Sequence, residues 1–150
     1  MTTVNRQFVT IRLAGQLLGI PVLEVHDVLS PHNITAIPRS PKAVAGVLNL
    51  RGKIVTAIDL RERLSLTAFE DVDRCMSVVV EHQGEPYSLL IDSVGEVLAL
   101  PEDRFERNPV TLDARWQEVS SGIYRLEDQL LVILDVERLL DFGLEQATAA

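Results

Sequence analysis

A chain of 150 residues with 47% apolar residues and a net charge of −8 is long enough for one folded domain, or for two small subdomains that share a core. No run approaches the roughly 18 consecutive apolar residues of a membrane-spanning helix, and Met1–Arg12 lacks the basic-then-apolar layout of a signal peptide, so the expected location is the cytoplasm. Cys75 is the only cysteine; it excludes an internal disulfide, and a reduced thiol beside a strand is its expected role.

In chain order, Phe8–Leu13 alternates as a strand, Ala14-Gly15 can turn, and Gln16–Ile20 can return as the second strand of a hairpin. Pro21 interrupts the ladder, which predicts a single helical turn over Pro21–Val25 before Val25–Leu29 resumes an extended path. Ser30–Asn33 reads as a turn and Ile34–Ile37 as a short strand ended by Pro38-Arg39-Ser40-Pro41. Lys42–Ala45 is expected to add a helical turn.

The stretch from Gly46 to Leu60 is the most informative. Leu48 and Leu50 alternate with Asn49 and Arg51, Gly52 suits a tight turn, and Ile54, Val55, Ala57 and Ile58 form a β-rich return strand. Asp59 stands where a side-chain oxygen can cap a helix over Leu60–Leu66. At the hairpin tip, Arg51 reads either as a solvated charge or as a partner contact.

Thr67–Arg74 is polar and reads as a surface connection. Met76–Glu81, Pro86–Asp92 and Val94–Leu100 are predicted strands, with Gln83-Gly84 as a turn, and Pro101–Phe105 as a helical turn. Asn108–Glu118 reads as irregular. A further hairpin, Gly122–Leu126 with Gln129–Leu134, leads into a helix from about Asp135 to Phe142, and residues 143–150 read as a frayed tail.

The two halves lie over one another. Gly15 and Gly84 are 69 apart, and at that offset Val25 falls on Val94, Asp27 on Glu96 and Val28 on Val97. Gly46 and Gly122 are 76 apart, and at that offset Leu50 falls on Leu126, Ile54 on Leu130 and Asp59 on Asp135. This predicts two similar β-units, about 8–66 and 76–142, with a longer loop in the second somewhere in Leu100–Ser121 and with strands free to exchange between them. Short, even strands favour five-stranded barrels, because closure removes exposed edges. Where the first unit has Arg51-Gly52 the second has Glu127-Asp128, so the hairpin itself does not require the arginine.

Charge follows the same division. Residues 1–66 carry 8 Lys/Arg against 4 Asp/Glu (+4), and residues 67–150 carry 6 against 18 (−12). Opposite-sign halves favour head-to-tail contact with a similarly built partner. The basic half is too weakly charged and too poor in aromatics for nucleic acid.

The chemistry of an enzyme is missing. His26, His32 and His82 form neither a helical pair nor a Cys/His cluster, so no metal site is expected. No glycine loop precedes a Lys-Ser/Thr helix start, and no Gly-x-Ser-x-Gly elbow accompanies the serines. Asp59, Asp92 and Asp135 all follow apolar strands, where a strand-end or capping role is expected. Catalytic residues and cofactors are therefore expected to be none.

The run Gly46–Gly52 (GVLNLRG), with Ile54-Val55 and Ile58-Asp59-Leu60-Arg61, resembles the signature hairpin of the CheW family, the adaptors of bacterial chemotaxis arrays. The likeness continues through Ile91–Val97 and Leu130–Leu140 and covers nearly the whole chain; Thr56 departs from it, standing where the family often has proline. The resemblance implies a mainly β fold, a single CheW-like domain of two five-stranded β-barrel subdomains with short helices, a C-terminal helix and a groove between the barrels. It implies a non-catalytic adaptor that couples chemoreceptor cytoplasmic tips to the regulatory domain of the histidine kinase CheA, recruited to membrane-associated receptor arrays without membrane insertion. Carried onto this chain, it implies receptor contacts at Val25, Gly46 and Arg51, with Asp27 placed to orient Arg51 and Val28 beside them, and kinase contacts at Ile54 and a strand edge from Ser77 to Val79. Alternatives are a CheW-like scaffold of a surface-motility or other chemosensory pathway, and a small β-barrel ligand-binding protein or enzyme that uses the inter-barrel groove.

Overall fold

The computed structural model describes residues 4–30, 34–68 and 75–141. Most of Ser30–Asn33 and of Thr67–Arg74, and the tail 143–150, fall outside them. Among the described residues ten strands dominate: β1 (Asn5–Leu13), β2 (Gln16–Pro21), β3 (Val25–Leu29), β4 (Val44–Leu50), β5 (Lys53–Asp59), β6 (Met76–His82), β7 (Glu85–Ile91), β8 (Ser93–Pro101), β9 (Ser120–Arg125) and β10 (Leu130–Leu134). Three short helices among the described residues, α1 (Leu60–Arg63), α2 (Ala114–Val119) and α3 (Val136–Leu139), join the strands, and 3-10 turns at Val22–Glu24 and Glu102–Arg104 follow two of the prolines.

The strands form two five-stranded sheets, ordered β8-β1-β2-β10-β9 and β3-β6-β7-β5-β4. The first sheet therefore takes the hairpin β1–β2 from the first half of the chain and β8, β9 and β10 from the second. The second sheet takes β6–β7 from the second half and the rest from the first. Each inserted hairpin meets its host through one parallel pairing, β2 with β10 and β7 with β5. The three hairpins β1–β2, β4–β5 and β6–β7 turn at Ala14-Gly15, Arg51-Gly52 and Gln83-Gly84, each with two consecutive positive φ values, the turn whose twist matches that of the flanking strands.

Each sheet is closed by the chain that leaves one edge strand and returns to the other. After β3 the chain reaches the outer edge of β4, where Thr35 and Val47 exchange two backbone hydrogen bonds of 2.8 Å. After β8, Glu106 and Ile123 exchange two of 2.9 Å beside β9. These seams, one bridge each, curl the sheets into barrels. The predicted strand Ile34–Ile37 thus reduces to one bridge, because the chain touches β4 once before the Pro38-Arg39 turn.

Along most strands one face points into its own barrel and the other into a shared central core of Ile11, Leu18, Ile20, Ile58, Val78, Val80, Leu89, Ile91 and Val132, as two-residue alternation requires. The helices are shorter than their sequence pattern predicts. In α1, Asp59 accepts from the Glu62 N–H, but Ser65 is left-handed (φ 56°) and stops propagation after Leu64. In α3, Asp135 accepts from the Arg138 N–H and the helix ends at Leu139.

Within 108–118, where no regular structure was expected, α2 forms. Asp113 caps it by accepting from the Arg115 N–H, and Trp116 and Val119 are buried in the central core. The spacing Leu112, Trp116, Val119 is the helical signal in that stretch.

Candidate functional site

The tip of β4–β5 is built by local chemistry. Asn49 Oδ1 accepts the Gly52 N–H at 2.9 Å, which ties the turn to its own strand and presents Arg51 to solvent, its side chain 80% exposed. Across the seam lies β3. Its Asp27 carboxylate accepts the Val28 N–H through Oδ1 (2.9 Å) and pairs with Arg51 Nη2 through Oδ2 (3.0 Å). A pair this exposed contributes only about 0–1 kcal/mol to stability. Its consequence is orientation: one side of the guanidinium is held, and the remaining donors face outward in a fixed fork.

The other sequence-predicted residues separate into two groups. Val28 and Ile54 are exposed. Val25, at the start of β3, is half-buried and packs against the central core; past the bulge that follows it, Val28 stands opposite Val78 on β6 but stays exposed at the edge of the sheet. Ser77 and Val79 do not lie on a strand edge. β6 is paired on both sides, by β3 and β7, and both side chains are buried inside the second barrel, where only Val79 touches the groove at the barrel mouth.

Gly46 is a position of close backbone approach, but the approaching backbone is the chain's own. With φ at +148°, a Cβ there would collide with the Thr35 carbonyl at the seam. Gly122, its counterpart, faces the same obstruction from Phe105 and Glu106. Closure of each barrel therefore accounts for both glycines.

Asp92 is not a cap. Its carboxylate receives a bidentate fork from Arg61, Nε at 2.9 Å and Nη2 at 2.6 Å, and also accepts the Ala14 N–H at 2.9 Å. From the same helix α1, Arg63 donates to the Leu139 and Arg138 carbonyls at 2.7 and 3.0 Å. α1 of one barrel thus grips both the β1–β2 turn and α3 of the other. Arg61 and Asp92 stand 31 residues apart in the chain and meet only in the fold.

Elsewhere, burial raises the Asp59 carboxyl above the ordinary range despite its cap bonds. Burial also raises Glu24, helped by the nearby Asp135 carboxylate. The Arg115 hydrogen bonds pull Asp113 down to about 2.

Beside the Arg51–Asp27 pair the second barrel opens into a groove of about 380 Å³, floored by Leu50, Val55, Val79 and Pro86. At its rim His26 stands 3.4 Å from Glu81. Among the described residues there is no His/Cys/Asp/Glu cluster suited to a metal ion, and no helix is long and apolar enough to cross a membrane.

The CheW-like domain family matches residues 7–143. The chain is 28% identical over 138 residues to chemotaxis protein CheW of Klebsiella aerogenes, covering 92% of this chain and 83% of that one. It is 29% identical over 121 residues to protein PilI of Pseudomonas aeruginosa, covering 81% and 68%. In three dimensions it is similar to the crystal structure of the scaffolding protein TtCheW from Thermoanaerobacter tengcongensis, with a TM-score of 0.82 and 30% identity over 93% of this chain and 95% of that one.

Proposed function

The chain belongs to the CheW-like family, whose members are non-catalytic scaffolds, and from that premise we propose that it couples the cytoplasmic tips of chemoreceptors to the histidine kinase CheA in a chemosensory array. The observation that carries this reading is the Arg51–Asp27 pair. It fixes a guanidinium fork at an exposed hairpin tip, while the equivalent tip of the other barrel carries Glu127-Asp128. The fold needs neither charge, so the difference belongs to recognition.

In this reading Arg51 donates to the receptor's helical hairpin, Asp27 orients it, and Val28 supplies an adjoining apolar contact. Val25 and Gly46 support the site from within, by packing and by allowing the seam. Ile54, exposed on the neighbouring strand, is the position for kinase contact. The protein would act at the cytoplasmic face of receptor-bearing membranes without entering them. That similar proteins carry the names CheW and PilI favours one second reading, the same adaptor role in a different chemosensory pathway.

The test is co-sedimentation with receptor-bearing membranes and CheA, wild type against Arg51→Glu. Wild type is expected to join the complex and raise kinase activity; the variant is expected to keep its fold and lose receptor-dependent activation. A wild-type protein that neither joins the complex nor alters kinase activity would remove the reading for that pathway.

A further inference from the structure

The shared core ends at different places on the two closing hairpins. On the core-facing side of β9–β10, Ile123 and Val132 are fully buried, and Leu130, paired with Arg125, still packs against the central core. At the offset of 76 these positions become Val47, Thr56, Ile54 and Asn49 on β4–β5, paired in the same register. Val47 and Thr56 are only half-buried there, and Ile54 is 65% exposed.

The difference lies in what covers the face. Trp116 and Val119 of α2 belong to the same buried cluster as Ile123 and Val132. Their counterparts at the same offset are Ser40 and Ala43, and the backbone confirms the match: the Asp135 N–H donates to the Val119 carbonyl at 2.8 Å, and the Asp59 N–H to the Ala43 carbonyl at 2.7 Å. Pro38 and Pro41 keep the second stretch from winding into a helix, and a serine stands in place of the tryptophan. The first barrel thus covers this face with its own chain, whereas the second leaves it open.

Asn49 lies opposite Ile54 on the open face. The Gly52 N–H is a donor, so the Asn49 atom 2.9 Å from it is the amide oxygen. Its NH2 group therefore points away from the turn, and it donates to none of the described residues. In the first barrel the counterpart, Arg125, is engaged by Glu106 at 3.1 Å. Charge separates the faces as well: residues 34–58 hold Arg39, Lys42, Arg51 and Lys53 with no Asp or Glu, whereas residues 110–134 hold two arginines against four carboxylates.

We propose that the open face of β4–β5 receives an acidic surface of the kinase, and that Asn49 sets its specificity. A bulky apolar side chain of the kinase covers Ile54 and Val47, as α2 covers the first barrel, and an acceptor beside it takes a hydrogen bond from the Asn49 NH2. This rests on the reading of Ile54 as the kinase contact and adds the chemistry that the kinase must present there.

The full-length chain can be titrated into CheA by calorimetry, with no receptor present. Wild type is expected to bind, and more weakly as salt rises. Asn49→Asp keeps an oxygen for the Gly52 N–H but has no NH2 group, and Asn49→Ala loses both. Each should bind about tenfold more weakly, since loss of the donor is what they share. Amide hydrogen exchange at Gly52 separates this from a structural role: it should stay at the wild-type rate in Asn49→Asp and rise in Asn49→Ala. Ile54→Ser should weaken binding at least as much while leaving the fold intact. Wild-type affinity in either Asn49 variant, or affinity indifferent to salt, would overturn the proposal and leave the adaptor reading in place. Self-association through Ile54 without kinase binding would assign the face to a second copy of this chain and overturn it too, and a wild type that does not bind CheA at all would remove both readings.

Discussion

Phe8, Leu17, Tyr124, Leu131 and Ile133 fill the first barrel, with Phe105 beside them and both phenylalanine rings 5.5 Å from Tyr124; at the same five strand positions the second barrel has Ser77, Pro86, Leu48, Val55 and Ala57. One strand plan thus tolerates an aromatic interior and a small, partly polar one, because the central core between the barrels is common to both. Two consequences follow from that division. The first barrel contributes packing that a partner does not need to see, and the second, less filled and open at its Arg51 end, is where exposed chemistry collects.

The largest test of this contrast is Phe8→Ala, which should cost about 3–5 kcal/mol in denaturant unfolding by emptying a full barrel. A loss below about 1 kcal/mol would mean that the first barrel is no better packed than the second. The seam glycines sharpen the comparison in the opposite sense, since the barrels should there behave alike. Gly46→Ala and Gly122→Ala should each destabilise by about 2 kcal/mol or more, and a tolerated Gly46→Ala would show that Thr35 does not press on that position. Ser88→Ala, which removes a buried hydroxyl without a partner among the described residues, should be neutral or stabilising by up to about 1 kcal/mol, and a clear loss would reveal a partner for the hydroxyl within the barrel.

The smallest effect concerns α2, which has no counterpart in the first unit. Its Asp113 should titrate at about 2 and move up toward the ordinary carboxylate value in Arg115→Ala, followed by NMR. The depressed value favours the folded state above the ordinary carboxylate range and loses that contribution as pH falls through about 2. Both side chains are well exposed, so the effect on stability is small.

Most of this architecture was legible because its signals are local. Alternation marked the strands, and Ala14-Gly15, Arg51-Gly52 and Gln83-Gly84 marked three hairpins. The Asp27–Arg51 pairing was legible only through the family resemblance, since β3 and β4 stand at opposite edges of their sheet.

What escaped the sequence is non-local. Ser77–Val79 read as a strand edge because nothing local reveals that β3 covers β6 on one side and β7 on the other. Gly46 read as a place for a partner's backbone because Thr35 reaches it only through the seam. Asp92 stands at a strand end, as its sequence position implies, but its partners, Arg61 and the Ala14 N–H, come from two distant elements that nothing local reveals. α2 escaped for another reason: a helix of 6 residues offers barely one repeat of its apolar spacing.

The central claim is that recognition resides in the Arg51 tip of the second barrel and not in its acidic counterpart on the first. Receptor-dependent activation of CheA, measured side by side for Arg51→Glu and Glu127→Arg in proteins of equal unfolding stability, tests it most directly. The account predicts that Arg51→Glu abolishes activation while Glu127→Arg retains it. Full activation by Arg51→Glu, or equal losses from both, would contradict it.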